Sequence, residues 1–139
     1  MIPQSLLEAL AHAVGSENVV LEESSLEAYS MDAFGRYRET APAEDSARVY
    51  AAVRPSSTQE VADIVKLASE HRIPLVPYGG GTGVMGAITP LRGGIAVDLK
   101  KMNRVIGINP EDRAATVQAG IILGDLDSAL HEEGFLLGH

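Results

Sequence analysis

The run Pro77-Tyr78-Gly79-Gly80-Gly81-Thr82-Gly83-Val84-Met85-Gly86 decides how this chain is read. Five of its ten positions are glycine, in a 139-residue chain with 14 glycines. Directly before it, Ile73-Pro74-Leu75-Val76 is a brief apolar segment bounded by His71-Arg72, the pattern of a short buried strand. Glycines after a strand let the backbone take positive φ and let another group approach the main chain closely. Successive amides in such a turn converge on one concavity, which suits an anion such as a phosphate. A glycine-rich connection with no ligand is the plain alternative.

Two phosphate loops with fixed spellings can be tested against this run. Gly81 to Gly86 matches G-x-G-x-x-G, the dinucleotide fingerprint, which needs a helix opening directly after the glycines. Here Pro90 and Gly93-Gly94 follow too soon for a crossover helix. A P-loop needs Lys and then Ser or Thr after its last glycine, and neither follows Gly86. What remains is a phosphate-cradling loop that joins two strands without a helix.

Moving outward, residues 5–14 set Leu6, Leu7, Leu10, Ala11 and Val14 on one helical face, closed by Gly15. Val19-Val20-Leu21 is a short strand. Ser24 and Glu27 have capping-box spacing for a brief helix through Tyr29. Residues 30–46 read as irregular, with Tyr29, Phe34 and Tyr37 as a small apolar cluster and Asp32, Arg36 and Arg38 on the surface. A strand over 48–53 follows. Ser57 and Glu60 cap a helix whose core stripe is Val61, Ile64, Val65 and Ala68. With the strand entering the glycine run, this makes a parallel βαβ unit. Ligand loops of parallel sheets lie beyond the carboxyl ends of strands, where Gly79 to Gly83 emerge.

After the loop, residues 95–99, 104–108 and 113–118 are short β-rich runs, and Asn109-Pro110-Glu111-Asp112 makes the turn of an antiparallel hairpin. Residues 125–133 form a helix with Leu126, Ala129 and Leu130 inward. The change from parallel to antiparallel organisation places a boundary between two subdomains near Gly93-Gly94, with a cofactor cleft between them.

Three stretches in order carry a resemblance: Pro77 to Gly83, Gly93-Gly94-Ile95-Ala96-Val97-Asp98-Leu99-Lys100-Lys101-Met102-Asn103, and Val117-Gln118-Ala119-Gly120. Together they resemble the FAD-binding domain of the FAD-linked oxidases, the vanillyl-alcohol-oxidase or PCMH-type fold. Within it, the chain is similar to the glycolate oxidase and D-lactate dehydrogenase group from about Asp32 onward. It departs at Tyr78, where that group commonly carries arginine. The resemblance implies an α+β fold: a parallel βαβ subdomain over about 1–93, then an incomplete antiparallel one over about 94–139. It implies FAD as cofactor, bound around Pro77, Tyr78, Gly79, Gly80, Gly81, Thr82, Gly83, Met85 and Gly86. Thr82 stands where some relatives bear a histidine bonded to the flavin, so the binding is expected to be non-covalent.

The activity it implies is oxidation of a small 2-hydroxy acid of the glycolate or D-lactate type. The alternative is a catalytically inactive, truncated flavin-binding or interaction module, since the family's domain continues past Phe135-Leu136-Leu137-Gly138-His139. Apolar surface left uncovered would then pair with a second copy or with the missing C-terminal half.

Composition bounds the remaining classes. A net charge of −8, from 11 Lys+Arg against 19 Asp+Glu, argues against nonspecific nucleic-acid binding. It also means that an anionic cofactor must be held by local amides rather than by long-range attraction. For that reason the loop outweighs Arg92 and Lys100 as the anion site. With no cysteine there is no disulfide and no thiol nucleophile. The four histidines, His12, His71, His131 and His139, lack metal-ligand spacing, and no serine sits in a nucleophile elbow. Catalytic and metal residues are thus expected to be none. Neither a secretory leader nor a membrane-length apolar run is visible, so the expected location is cytoplasmic.

Overall fold

The computed structural model describes residues 2–33 and 48–138. Helix α1 (Gln4–Val14) buries Leu6, Leu10 and Val14, the four-residue spacing that keeps one face inward. A 3-10 turn leads into strand β1 (Val19–Val20). Helix α2 (Glu23–Ala28) starts one residue before the capping box read in the sequence. Glu22, not Ser24, is its N-cap residue, with no side-chain cap bond, and Glu22 instead accepts from Ser25 Oγ at 3.1 Å.

Strand β2 (Ala51–Val53) feeds helix α3 (Thr58–Glu70). Here the Ser57 half of the capping box forms, with Ser57 Oγ accepting from the Glu60 amide at 3.2 Å. The Glu60 carboxylate reaches back to the Ser56 amide and hydroxyl, both at 2.8 Å. Ile64 and Ala68 are buried as expected, but Val65 is half exposed and Leu67 packs on the core in its place. The reason is α1, which lies along the side of α3 that bears Asp63, Lys66, Leu67 and Glu70 and so covers Leu67.

Strand β3 (Leu75–Tyr78) runs into the glycine loop, and strand β4 (Ile95–Asp98) follows it. The main sheet has the order β1-β2-β4-β3. β2 and β3 are both parallel to β4, with Ala51 and Leu75 opposite Ile95 and Tyr78 opposite Asp98, while β1 is antiparallel to β2. The βαβ strands are therefore parallel but not neighbours, because β4 inserts between them. Its entry is tight. Gly94 has φ +126, and a Cβ there would run into the Pro74 carbonyl, so the chain can pass to the sheet centre only as glycine.

Alternating residues fill the two faces. Ala51, Val53, Ile95 and Val97 meet Leu6, Leu10, Val14 and Ile64 on one side. Ala52, Ala96, Val76 and Tyr78 meet Leu26, Tyr29 and Val49 on the other. A 3-10 turn at Leu99–Lys101 leads out of this sheet to strands β5 (Val105–Asn109) and β6 (Ala114–Val117), an antiparallel pair as the sequence indicated. The change of organisation thus falls after β4 rather than at Gly93-Gly94. Helix α4 (Leu123–Glu132) follows, with Leu126 and Leu130 buried. No described helix is long and apolar enough to cross a membrane.

Candidate functional site

Because β2, β3 and β4 are parallel, their carboxyl ends share one edge of the sheet, and the glycine loop leaves from that edge. Its root is Tyr78, which is buried and meets the Tyr29 ring edge-on, with centroids 4.8 Å apart and planes at 71°. Gly81 has φ +67, and a Cβ on it would fall on the Tyr78 phenol, 2.8 Å from Cζ. Both its conformation and its close approach to Tyr78 require glycine there.

Gly79 and Gly83 differ from Gly81. Neither has positive φ, and among the described residues a Cβ on either meets nothing within 4 Å. The packing of the described residues gives no reason for glycine at these two positions, which lie at the end of the parallel sheet, where a bound group needs the backbone bare. Among the described residues, no protein acceptor takes the amides of Gly80 to Met85. An anion is the complement of such a set of donors.

The far limb is anchored instead. Gly86 donates its N–H to Asp32 Oδ2 at 2.6 Å, and Ala33 donates to the Gly83 carbonyl at 3.0 Å. Asp32 is 2% exposed, so its placement on the surface from sequence is corrected. Burial of this carboxylate goes with a charge-assisted bond to the loop. The start of α4 comes near from the other side, since a Cβ on Gly80 would lie 3.4 Å from Ile122 Cδ1. Of the residues singled out from sequence, Pro77, Thr82 and Met85 are exposed and Tyr78 is buried, with Met85 89% exposed.

Beneath the root lies a polar cluster that the sequence reading missed. Asp98, at the end of β4, is 3% exposed. It accepts from Tyr29 Oη at 2.7 Å and from the Lys100 amide at 3.1 Å. The Lys100 ammonium stands 3.3 Å from its carboxylate, and Arg54 Nε stands at 3.8 Å. Arg54 also donates to Tyr29 Oη from Nε and Nη2, at 3.3 and 3.1 Å. Burial, followed by the hydrogen bond to Asp98, raises the Tyr29 pKa above that of an ordinary phenol. The hydrogen bond to Tyr29 raises that of Arg54. Lys100 Nζ lies 5.2 Å from the centre of the Tyr78 ring. Arg54 and Lys100 together offset the Asp98 carboxylate at the end of the sheet that carries the loop. A signal was legible: an aspartate closing an apolar run is rarely buried unless paired.

Tyr29 belongs to the core face, whereas Phe34, Arg36, Tyr37, Arg38 and His139 lie outside the described residues. Among the described residues, no group of three His, Asp or Glu side chains could hold a metal ion.

Amides with no acceptor among the described residues, together with bare glycines, fit the diphosphate of a dinucleotide such as FAD. Residues 49–139 match the family model described as "FAD binding domain". The glycolate oxidase subunit GlcD of Bacillus subtilis is 34% identical over 96% of this chain, which covers 27% of that protein. The D-lactate dehydrogenase of Anaerostipes hadrus is 36% identical over 66% of the chain and 21% of its own length. The solved 4-ethylphenol oxidase from Gulosibacter chungangensis superposes with a TM-score of 0.80 at 30% identity, over 94% of this chain and 24% of that one. The chain thus spans about a quarter of the length of the relatives it matches. An α+β chain of two sheets whose glycine loop leaves the parallel edge, it belongs to the FAD-binding-domain family of the FAD-linked oxidoreductases, with the PCMH-type fold.

Proposed function

We propose that this chain is the diphosphate-holding, N-terminal part of the FAD-binding domain of an oxidoreductase that acts on a small 2-hydroxy acid. The observation that carries it is the run of amides from Gly80 to Met85 with no acceptor among the described residues, beside Gly79 and Gly83, where a Cβ meets none of those residues within 4 Å. The glycolate oxidase and D-lactate dehydrogenase relatives support the substrate class. Contacts to the diphosphate come from the backbone of Gly79, Gly80, Gly81, Thr82 and Gly83. Pro77 and Tyr78 set the entry to the loop, and Met85 and Gly86 line its exit. Arg54 and Lys100 hold Asp98 neutralised, so the sheet edge does not repel the incoming anion.

Binding is non-covalent: the loop offers Thr82 where a covalent link would need a nucleophilic ring, and the chain has no cysteine. What bound FAD supplies is acceptance of a hydride from the substrate α-carbon. The residues described here bind and orient it.

Adding FAD to the purified chain, with flavin fluorescence and melting temperature as readouts, tests the assignment. Saturable binding with a rise in melting temperature is expected, because a ligand that binds only the folded state stabilises it. An acid precipitation that leaves all flavin in the supernatant establishes the non-covalent mode. Anaerobic bleaching of the bound flavin by glycolate or D-lactate supports the substrate class. Binding without bleaching favours a second reading, a catalytically silent flavin-binding module. A chain that never saturates with FAD removes the assignment.

A further inference from the structure

The glycine loop must stay open without a ligand, although its amides from Gly80 to Met85 have no acceptor among the described residues. An unbraced glycine run would collapse or fluctuate, and ordering it would weaken binding. The near limb is held by Tyr78, fixed between the Tyr29 ring and Gly81. The far limb is held by residues fifty or more positions away in the chain. Asp32 accepts from Gly86 at 2.6 Å, and the neighbouring Ala33 donates to Gly83 at 3.0 Å.

We propose that Asp32 is a positioning residue for the diphosphate cradle. Its carboxylate fixes the Gly86 amide and, with the Ala33–Gly83 bond, holds the far limb in place, so that the amides of the near limb stay open to the anion. One consequence follows from the chemistry: the Gly86 amide is already engaged, so it is not a phosphate donor. The proposal rests on reading the loop as the FAD site, and the test separates the two.

In the ligand-free chain, the Gly86 amide proton should resonate well downfield and exchange slowly, as an N–H does on a short bond to a carboxylate. Asp32→Ala should abolish both properties and weaken FAD binding by about tenfold or more, the size of one lost hydrogen bond to a charged acceptor. Asp32→Asn should shift the Gly86 resonance partway while keeping FAD affinity within about threefold, because an amide oxygen accepts the same bond. This rescue is what a merely space-filling role would not give to Asn over Ala.

FAD binding unchanged in Asp32→Ala overturns the proposal and leaves the loop assignment standing. So does a loss in Asp32→Asn as deep as in Asp32→Ala. If Asp32→Ala does not fold, the Asn variant decides alone: an unmoved Gly86 resonance overturns the proposal. A parent chain that takes up no FAD overturns the loop assignment, and the proposal falls with it.

Discussion

The two halves of the molecule hold themselves together very differently. In the parallel sheet, all four residues of β4 are buried, and helices cover the apolar face from α1 to Ile64. In the hairpin of β5 and β6, no residue is fully buried. A groove of about 560 Å³ opens between this hairpin, α4 and the tail, lined by Ile108, Ala115, Leu126, Leu130, Phe135 and Leu137. Leu136 beside it is 75% exposed and Ile106 on β5 is 66% exposed. A two-stranded sheet is marginal by itself in water, so this half leans on the connection through Leu99–Lys101 and on α4. The glycine loop is rooted in the half that carries the buried core. The loop's partners Asp32, Tyr29 and Asp98 all belong to that half.

The sharpest way to break this contrast is to truncate one apolar side chain in each half. Leu10 is completely buried between α1, the sheet and Ile64, so Leu10→Ala should cost about 2–5 kcal/mol in urea unfolding. Ile106→Ala, on the exposed hairpin, should stay within about 0.5 kcal/mol. Equal costs would mean that the hairpin is as tightly packed as the main sheet.

A second pair of variants sharpens the contrast within the loop. Gly81→Ala forces a side chain into φ +67 and onto Tyr78, which should cost about 1–2 kcal/mol of stability as well as FAD affinity. Gly83→Ala meets no atom of the described residues within 4 Å and no positive φ, so the melting temperature should hold. Its methyl group would occupy space that a bound diphosphate needs, and losing one charged hydrogen bond there should weaken FAD binding about tenfold. Calorimetry on both variants, with and without FAD, reads the two effects separately. A Gly83→Ala chain with full FAD affinity would place the diphosphate elsewhere.

How much of this was legible in the sequence depends on whether the cause is local. The stripes of α1 and α4, the Ser57–Glu60 cap and the β5–β6 turn are set by neighbours three or four residues away, and each formed where spacing placed it. The position of β4 was not local. Ile95-Ala96-Val97 is continuously apolar rather than alternating, the mark of a strand covered on both faces, yet its shortness let it pass for part of a hairpin. Likewise Val65 and Leu67 flank the α3 stripe almost equally, and only the placement of α1 chooses between them. The glycine loop announced itself through composition. Its braces did not, because Asp32 and Gly86 are brought together by the tertiary fold alone.

The smallest expected effect tests the cap of α3, which directs the crossover between β2 and β3. Hydrogen bonds from Ser56, the backbone amide foremost, hold the Glu60 carboxyl below the ordinary carboxylate range, against a weaker opposing effect of burial. A group with a depressed folded pKa contributes its stability above its unfolded pKa and loses it as the pH falls through the folded value. Glu60→Gln should therefore be less stable than the parent at neutral pH, and the gap should close on acidification below about pH 4. Glu60 is partly exposed, so solvent screening keeps that gap near or under about 0.5 kcal/mol. Urea titrations of both chains across this range measure it. A gap that widens toward low pH would mean that the Glu60 carboxylate is opposed, not supported, by its surroundings, and that Ser57 alone caps the helix.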